Sequence, residues 1–237
     1  MKYLIAAYAW VVGGLYFILL CLITIFLTFF LKPKTFDPWL KKSLRFLFKI
    51  LFIKVQSEGS EKIESNTNYL FMSNHSSLFD IFLLEAYIPT FVRAVEALRQ
   101  FKWPLYGWAI RRLGNIPIDR KNIHASITSM KKTEKILKEG KSIVILPEGH
   151  RTLDGNLGSF KKLPFHVAKQ ACIPIIPIGL SGLFHLKHKG SWLIRPRPVK
   201  IKFGQPIPSD KIQSLSTEEL RDFTREKIQE LIEKPTH

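Results

Sequence analysis

The stretch Asn74-His75-Ser76-Ser77-Leu78-Phe79-Asp80 sets an imidazole and a carboxylate five positions apart. On a continuous helix such positions point about 140° apart, given ~3.6 residues per turn, and the two groups do not meet. They meet if His75 lies on the loop leaving a strand and Ser76 or Ser77 caps a new helix, whose first turns then carry Asp80 back toward that loop. A carboxylate accepting from Nδ1–H fixes the tautomer and leaves Nε2 free to take a proton from an attacking hydroxyl. The plainer alternative is that Asn74, His75 and Ser77 only satisfy backbone groups at a strand–helix junction. Alone, the pair has little force.

Two further stretches keep it company. Gly114-Asn115-Ile116-Pro117-Ile118-Asp119-Arg120 reads as a strand end that delivers Asp119 and Arg120 to a helix starting near Asn122. An Arg there suits a phosphate, because its forked N–H donors join the helix-end amides; a surface Arg paired with Asp119 is the alternative. Leu146-Pro147-Glu148-Gly149-His150-Arg151-Thr152 follows another apolar run and leads into Asp154 through Lys162. Gly149, Gly155 and Gly158 allow backbone to approach a ligand closely. Arg151, Lys161 and Lys162 supply positive charge, with one of the lysines expected on a solvated surface. Glu148 is expected to hold an Arg or a ligand hydroxyl.

Other chemistries find no support. There is no G-x-S-x-G elbow, and Ser181 in Gly179-Leu180-Ser181-Gly182 has the wrong frame. Gly140-Lys141-Ser142 ends like a phosphate-binding loop, but Lys135 stands where the first glycine belongs. His166, Cys172, His185 and His188 match no zinc spacing, and solvent-facing histidines are expected.

These residues need a scaffold. Short β-branched or aromatic runs predict strands over Asn68–Ser73, Phe91–Val95, Asn115–Ile118, Ser142–Leu146, Ile173–Ile178 and Val199–Phe203. Helices are predicted over Leu78–Tyr87, Pro104–Leu113, Ile123–Glu139 (stopped by Gly140), Pro164–Gln170 and Thr217–Glu233. Ser216 and Glu219 fit a capping box for the last. Such alternation predicts an α/β fold: a mixed, largely parallel sheet flanked by helices.

Ahead of it lies a different kind of segment. Tyr3–Leu31 carries no charge, and as a helix would run about 43 Å against a hydrocarbon core of ~30 Å. The run lacks a small-residue cleavage site and is read as retained. Lys2 precedes it, whereas Lys32, Lys34, Lys41, Lys42, Arg45 and Lys49 follow, which predicts a membrane protein with its remainder on the cytoplasmic face. Gly13 and Gly14 leave open a helix that dips into one leaflet. In Pro38–Lys54, Leu40, Leu44, Leu47, Phe48 and Leu51 share one face opposite the basic residues, predicting a helix in the headgroup plane, with packing on the protein's own core as the alternative. The expected division is 1–56 for anchor and interfacial helix and 57–237 for the catalytic unit, with polar Ser57–Asn68 as the seam.

Lys and Arg number 36 against 19 Asp and Glu, a formal charge of +17, which demands an anionic partner. The lysines are dispersed and accompany no nucleic-acid motif, so an anionic membrane and a phosphorylated substrate are expected and nucleic acid is not. Two cysteines, Cys21 in the apolar run and Cys172 in a predicted core strand, fit a reducing compartment.

Taken in order, NHSSLFD, GNIPIDR, PEGHRTLDGNLGSFKK and Ile173–Ile178 resemble the four blocks of the glycerolipid acyltransferases, which include the 1-acyl-glycerol-3-phosphate acyltransferases. The resemblance implies acyl transfer from acyl-CoA or acyl-carrier protein to the free hydroxyl of lysophosphatidic acid, with no cofactor. It implies His75 and Asp80 as the catalytic pair, and the second and third blocks as the acceptor's phosphate site. Arg120, Glu148, Gly149 and Arg151 match those blocks, and Lys161 joins them as substrate-binding. His150 stands where the family usually has a small hydroxyl residue and is expected to tune the acceptor. A related lyso-lipid (a lysophospholipid or an amino-acid lipid) is therefore the alternative acceptor, and a non-catalytic basic membrane-surface protein the remoter reading. A thioester is already activated, so no Ser or Cys nucleophile is needed; the oxyanion's donors, backbone N–H groups or a Lys, are not identified by the sequence.

Overall fold

The computed structural model describes residues 1–64 and 66–233. Residue 65, within the expected seam, and residues 234–237, at the end of the expected catalytic unit, lie outside the described residues.

Seven strands form one sheet: β1 (Val55–Glu58), β2 (Leu70–Ser73), β3 (Val92–Ala97), β4 (Ile116–Ile118), β5 (Ser142–Ile145), β6 (Ile175–Ser181) and β7 (Val199–Phe203), in the order β1-β7-β6-β2-β5-β3-β4. All neighbours are parallel except β6 and β7. This is the mixed, largely parallel sheet expected. β1 was not foreseen and falls across the expected 56/57 boundary: its Val-Gln-Ser-Glu is mostly polar and exposed, as suits an edge strand, and so carries no apolar pattern.

Central strands are buried on both faces, which defines two cores. On β2, Phe71 belongs to one and Leu70 and Met72 to the other. Helices α5 (Ile123–Lys138), α6 (Leu163–Ala171), α8 (Ser209–Ser214) and α9 (Thr217–Leu231) cover the second face with Met130, Leu137, Phe165, Ile212, Leu220 and Ile228. The capping box of α9 forms as expected between Ser216 and Glu219.

The first face is covered by α2 (Pro33–Ile50) and α3 (Asp80–Tyr87), and here an expectation is corrected. Leu40, Leu44, Leu47, Phe48 and Leu51 lie not in a headgroup plane but in the core, at 1–5% exposure. A three-and-four spacing serves either burial equally; the uncovered sheet face decides. Even Lys41 is buried, paired with Asp37 at 2.5 Å and donating to Thr90 O at 3.2 Å. Arg45 Nε donates to Ala86 O at 2.8 Å. Phe46, Trp39 and Lys42 keep the outer side.

Helix α1 (Lys2–Phe30) is long and apolar enough to cross a membrane by length and composition. It lies along the domain and is fastened at intervals. Tyr8 Oη donates to Ile50 O at 3.0 Å, Tyr16 Oη to Ser43 O at 3.1 Å, and Arg112 Nε to Thr28 Oγ1 at 2.5 Å. Phe17 packs on Phe82 and on Tyr106 of α4 (Tyr106–Leu113). Its other face exposes Leu4, Val11, Leu15, Leu19, Phe26 and Phe29.

Candidate active site

β6, β2, β5, β3 and β4 are contiguous, and the last four run parallel, so the segments leaving their carboxyl ends share one edge of the sheet. Ligands of open α/β sheets bind at such edges. The loop after β2 carries His75, that after β5 carries Glu148 and Arg151, that after β3 Arg99, and that after β4 Arg120.

His75 Nδ1 and Asp80 Oδ2 are 2.7 Å apart. The local fold differs from expectation in one respect. Neither Ser76 nor Ser77 is the N-cap of α3; Phe79 is, without a side-chain bond. Asp80 opens the helix and gathers the loop itself, its Oδ2 accepting from Ser76 N at 2.7 Å and Ser77 N at 2.9 Å. An acid at the positive end of a helix binds such amides more strongly than a hydroxyl would, which explains the inversion. Asp80 is fully buried, while the His75 side chain keeps 18% exposure.

The remaining residues of this stretch tie the loop down. Asn74 makes a reciprocal pair with the backbone of Leu180, Nδ2 donating at 3.0 Å and Oδ1 accepting at 2.8 Å. Thr152 N donates to His75 O at 2.9 Å, joining the loop after β5 to the loop after β2. Glu148, expected to hold an Arg or a ligand hydroxyl, spends its oxygens on backbone: it accepts from His75 N at 2.6 Å and Gly158 N at 2.9 Å. Burial raises its pKa, against the pull of those two amides. The glycines are likewise turned inward. A Cβ on Gly158 would meet Glu148 Oε2 at 2.8 Å, and one on Gly155 the ring of Phe184 at 3.0 Å. Gly149 adopts φ 77°, which its turn requires.

Arg99, Arg120 and Arg151 form a cationic arc along the edge. Arg120 precedes α5, whose cap is Asn122, accepting from Ala125 N at 3.1 Å. Desolvation and then repulsion by Arg99 lower the Arg120 pKa, while Glu96 raises it. Desolvation lowers that of Arg151 too; Asp80 draws it up and Arg99 down. Glu96 is buried and held by Tyr106 Oη at 2.6 Å and Asn115 Nδ2 at 2.7 Å. Asp119, offered above as Arg120's partner, caps Lys121 N instead, at 3.0 Å.

Of the other expected residues, His150 and Lys161 are exposed, Lys161 lying over Gly149. Lys162 is exposed as well, paired with Glu218 at 2.6 Å, so both lysines lie on the surface where one was expected there. Cys172 is corrected: it is exposed at the left-handed end of α6 and not in a core strand. Ile175–Ser181 is a buried strand, as expected of the fourth block. No group of three metal-ligating side chains occurs among the described residues. Sequence reading missed Glu96 and Arg99, although they follow the predicted strand Phe91–Val95 just as Arg120 follows its own.

Residues 54–181 match the family model described as Acyltransferase. The chain belongs to the acyltransferase family. The chain is 35% identical over 190 residues (80% of its own length) to the 1-acyl-sn-glycerol-3-phosphate acyltransferase of Cocos nucifera, and 31% identical over 189 residues (78%) to that of Saccharomyces cerevisiae. It spans 58% of the length of each. The crystal structure of the 1-acyl-sn-glycerophosphate acyltransferase PlsC from Thermotoga maritima superposes with a TM-score of 0.83 at 26% identity, covering 97% of this chain and 93% of that one.

Proposed function

We propose that this acyltransferase moves a fatty acyl group from a thioester donor, acyl-CoA or acyl-carrier protein, to the free hydroxyl of 1-acyl-glycerol-3-phosphate, making phosphatidic acid. One observation carries the reading: a His–Asp bond of 2.7 Å beside a cationic arc that has no carboxylate paired to it among the described residues. Asp80 holds the tautomer with Nδ1–H, and Nε2 accepts the hydroxyl proton as the oxygen attacks the thioester carbonyl. The tetrahedral intermediate then expels the thiolate, which takes the proton from the imidazolium. His75 ends as it began, and no cofactor enters. Arg120 and Arg151 hold the acceptor's phosphate with Arg99 between them.

The activity for which the relatives are named supports this acceptor. A cavity of about 60 Å³ beneath α1, walled by Phe17, Leu20, Leu44, Phe82, Ile110 and Leu113, is the proposed entry for an acyl chain. The exposed face of α1 seats the enzyme on an anionic cytoplasmic leaflet. Fastening of α1 to the domain from Tyr8 to Thr28 favours insertion into one leaflet over crossing both.

The test is acyl transfer by membranes containing the chain, with labelled donors and a panel of lyso-lipids. His75→Ala should lower the rate about 100-fold or more, the usual worth of a general base, with binding to anionic vesicles intact. Full activity in that variant removes His75 from the mechanism.

A further inference from the structure

Lys187 follows the short helix α7 (Leu183–Leu186) and is 7% exposed. Its backbone is pinned to the catalytic loop, because Ser77 Oγ donates to Lys187 O at 2.7 Å while Ser77 N is spent on Asp80. Its ammonium makes one long hydrogen bond, to His188 O at 3.3 Å, and stands 6.0 Å from the ring centre of Trp10 on α1. It joins no ion pair among the described residues. Burial and then repulsion by Arg151 pull its pKa below the ordinary lysine value.

An ammonium has three donors, and a buried one ordinarily pairs with an acid. Here the charged group that bears on it is a second cation, Arg151. Such an arrangement is costly empty and is relieved by an anion lying between the two. We propose that Lys187 and Arg151 together hold the phosphate of the acceptor lipid, so that Lys187 is a binding residue of the site.

This rests on the reaction proposed above. Which phosphate belongs there follows from connectivity. In the acceptor, phosphate and reacting hydroxyl sit on adjacent carbons, so an anion seat must adjoin the base. Arg151 does so: the amide of the next residue, Thr152, bonds to His75 O at 2.9 Å. The donor's phosphates lie at the far end of its pantetheine arm, remote from the thioester carbonyl. A phosphate monoester also carries between one and two charges near neutrality, more than one cation balances.

The experiment compares Lys187→Met and Lys187→Arg with the unaltered chain in lipid vesicles. Lys187→Met should raise KM for lysophosphatidate roughly tenfold or more, the scale of one charge-assisted hydrogen bond, leaving kcat and donor KM nearly unchanged. Lys187→Arg should restore most of the loss. Binding of glycerol 3-phosphate, followed by phosphorus NMR, should weaken in parallel and does not require acyl transfer. A fall in kcat with acceptor KM unchanged, a rise in donor KM alone, or no change overturns the proposal. If Lys187→Met does not fold, Lys187→Arg together with the glycerol 3-phosphate titration of the unaltered chain decides, and absence of binding there overturns it. Lys187-dependent binding without transfer to lysophosphatidate sinks the proposed reaction but not the seat. Transfer with Lys187-independent binding sinks the seat alone.

Discussion

The two halves of the site are built on opposite principles. His75, Asp80 and Glu148 are satisfied from within: every bond that orients the imidazole is already made, through Ser76 N, Ser77 N, Gly158 N and His75's own amide. Arg99 repels Arg120 and Arg151, Arg151 repels Lys187, and none of the four joins an ion pair among the described residues. In the proposed reaction the His–Asp half is finished before substrate arrives, which would spare it reorganisation during proton transfer. The cationic half stores repulsion that the proposed phosphate would relieve. Substitutions in the first half should therefore cost rate and stability together, and those in the second should cost affinity alone.

The sharpest break is Asp80→Asn. Its amide turned toward Nδ1 selects the wrong tautomer, and the amides of Ser76 and Ser77 lose an anionic acceptor. Activity should fall on the order of 10²- to 10³-fold, with a lowered Tm, measured by acyl-transfer rate and thermal unfolding. Glu148→Gln comes next. One arm of its carboxamide must face a backbone N–H, leaving a buried donor unpaired at about 1–3 kcal/mol. A drop of roughly tenfold in kcat and a lower Tm are expected, the loop losing part of its registration. Arg120→Met tests the other half. Acceptor KM should rise about tenfold while Tm holds or increases, because repulsion with Arg99 is gone. A large loss of stability in Arg120→Met would dissolve the contrast.

The smallest effect lies away from the chemistry. Burial first, and Asp37 nearby, push the Glu85 carboxyl to about 7 from an unfolded value of 4.5, against the opposing pull of Lys41. The fold thus favours the protonated acid. Its contribution to stability is complete below pH 4.5 and is lost as pH rises through about 7. In Glu85→Gln that decline should flatten, seen by denaturant unfolding from about pH 5 to about pH 8.

Much of this was readable along the chain. Six of seven strands, the capping box of α9 and the strand-end placement of His75, Arg120 and Glu148 follow from local patterns of period, caps and breakers. What was misread depended on surfaces that meet only after folding. The apolar face of α2 looked fit for a bilayer because the sheet it covers is distant in sequence. Glu148 looked ready for an Arg because its true partners are backbone amides, which no residue type announces. β1 is too short and polar to signal itself, and it exists because β7 offers an edge.

By itself, the order of residues determined which groups were available: a base, its carboxylate, several cations and a long apolar helix, each tied to a strand or helix end by neighbouring residues. Tertiary structure decided which would act together. Distances among the loops after β2, β3, β4 and β5 are set by sheet order, and sheet order is a contest among long-range pairings that no local pattern encodes. The same contest leaves the cations facing one another, and that juxtaposition, more than any residue in it, points to an anion.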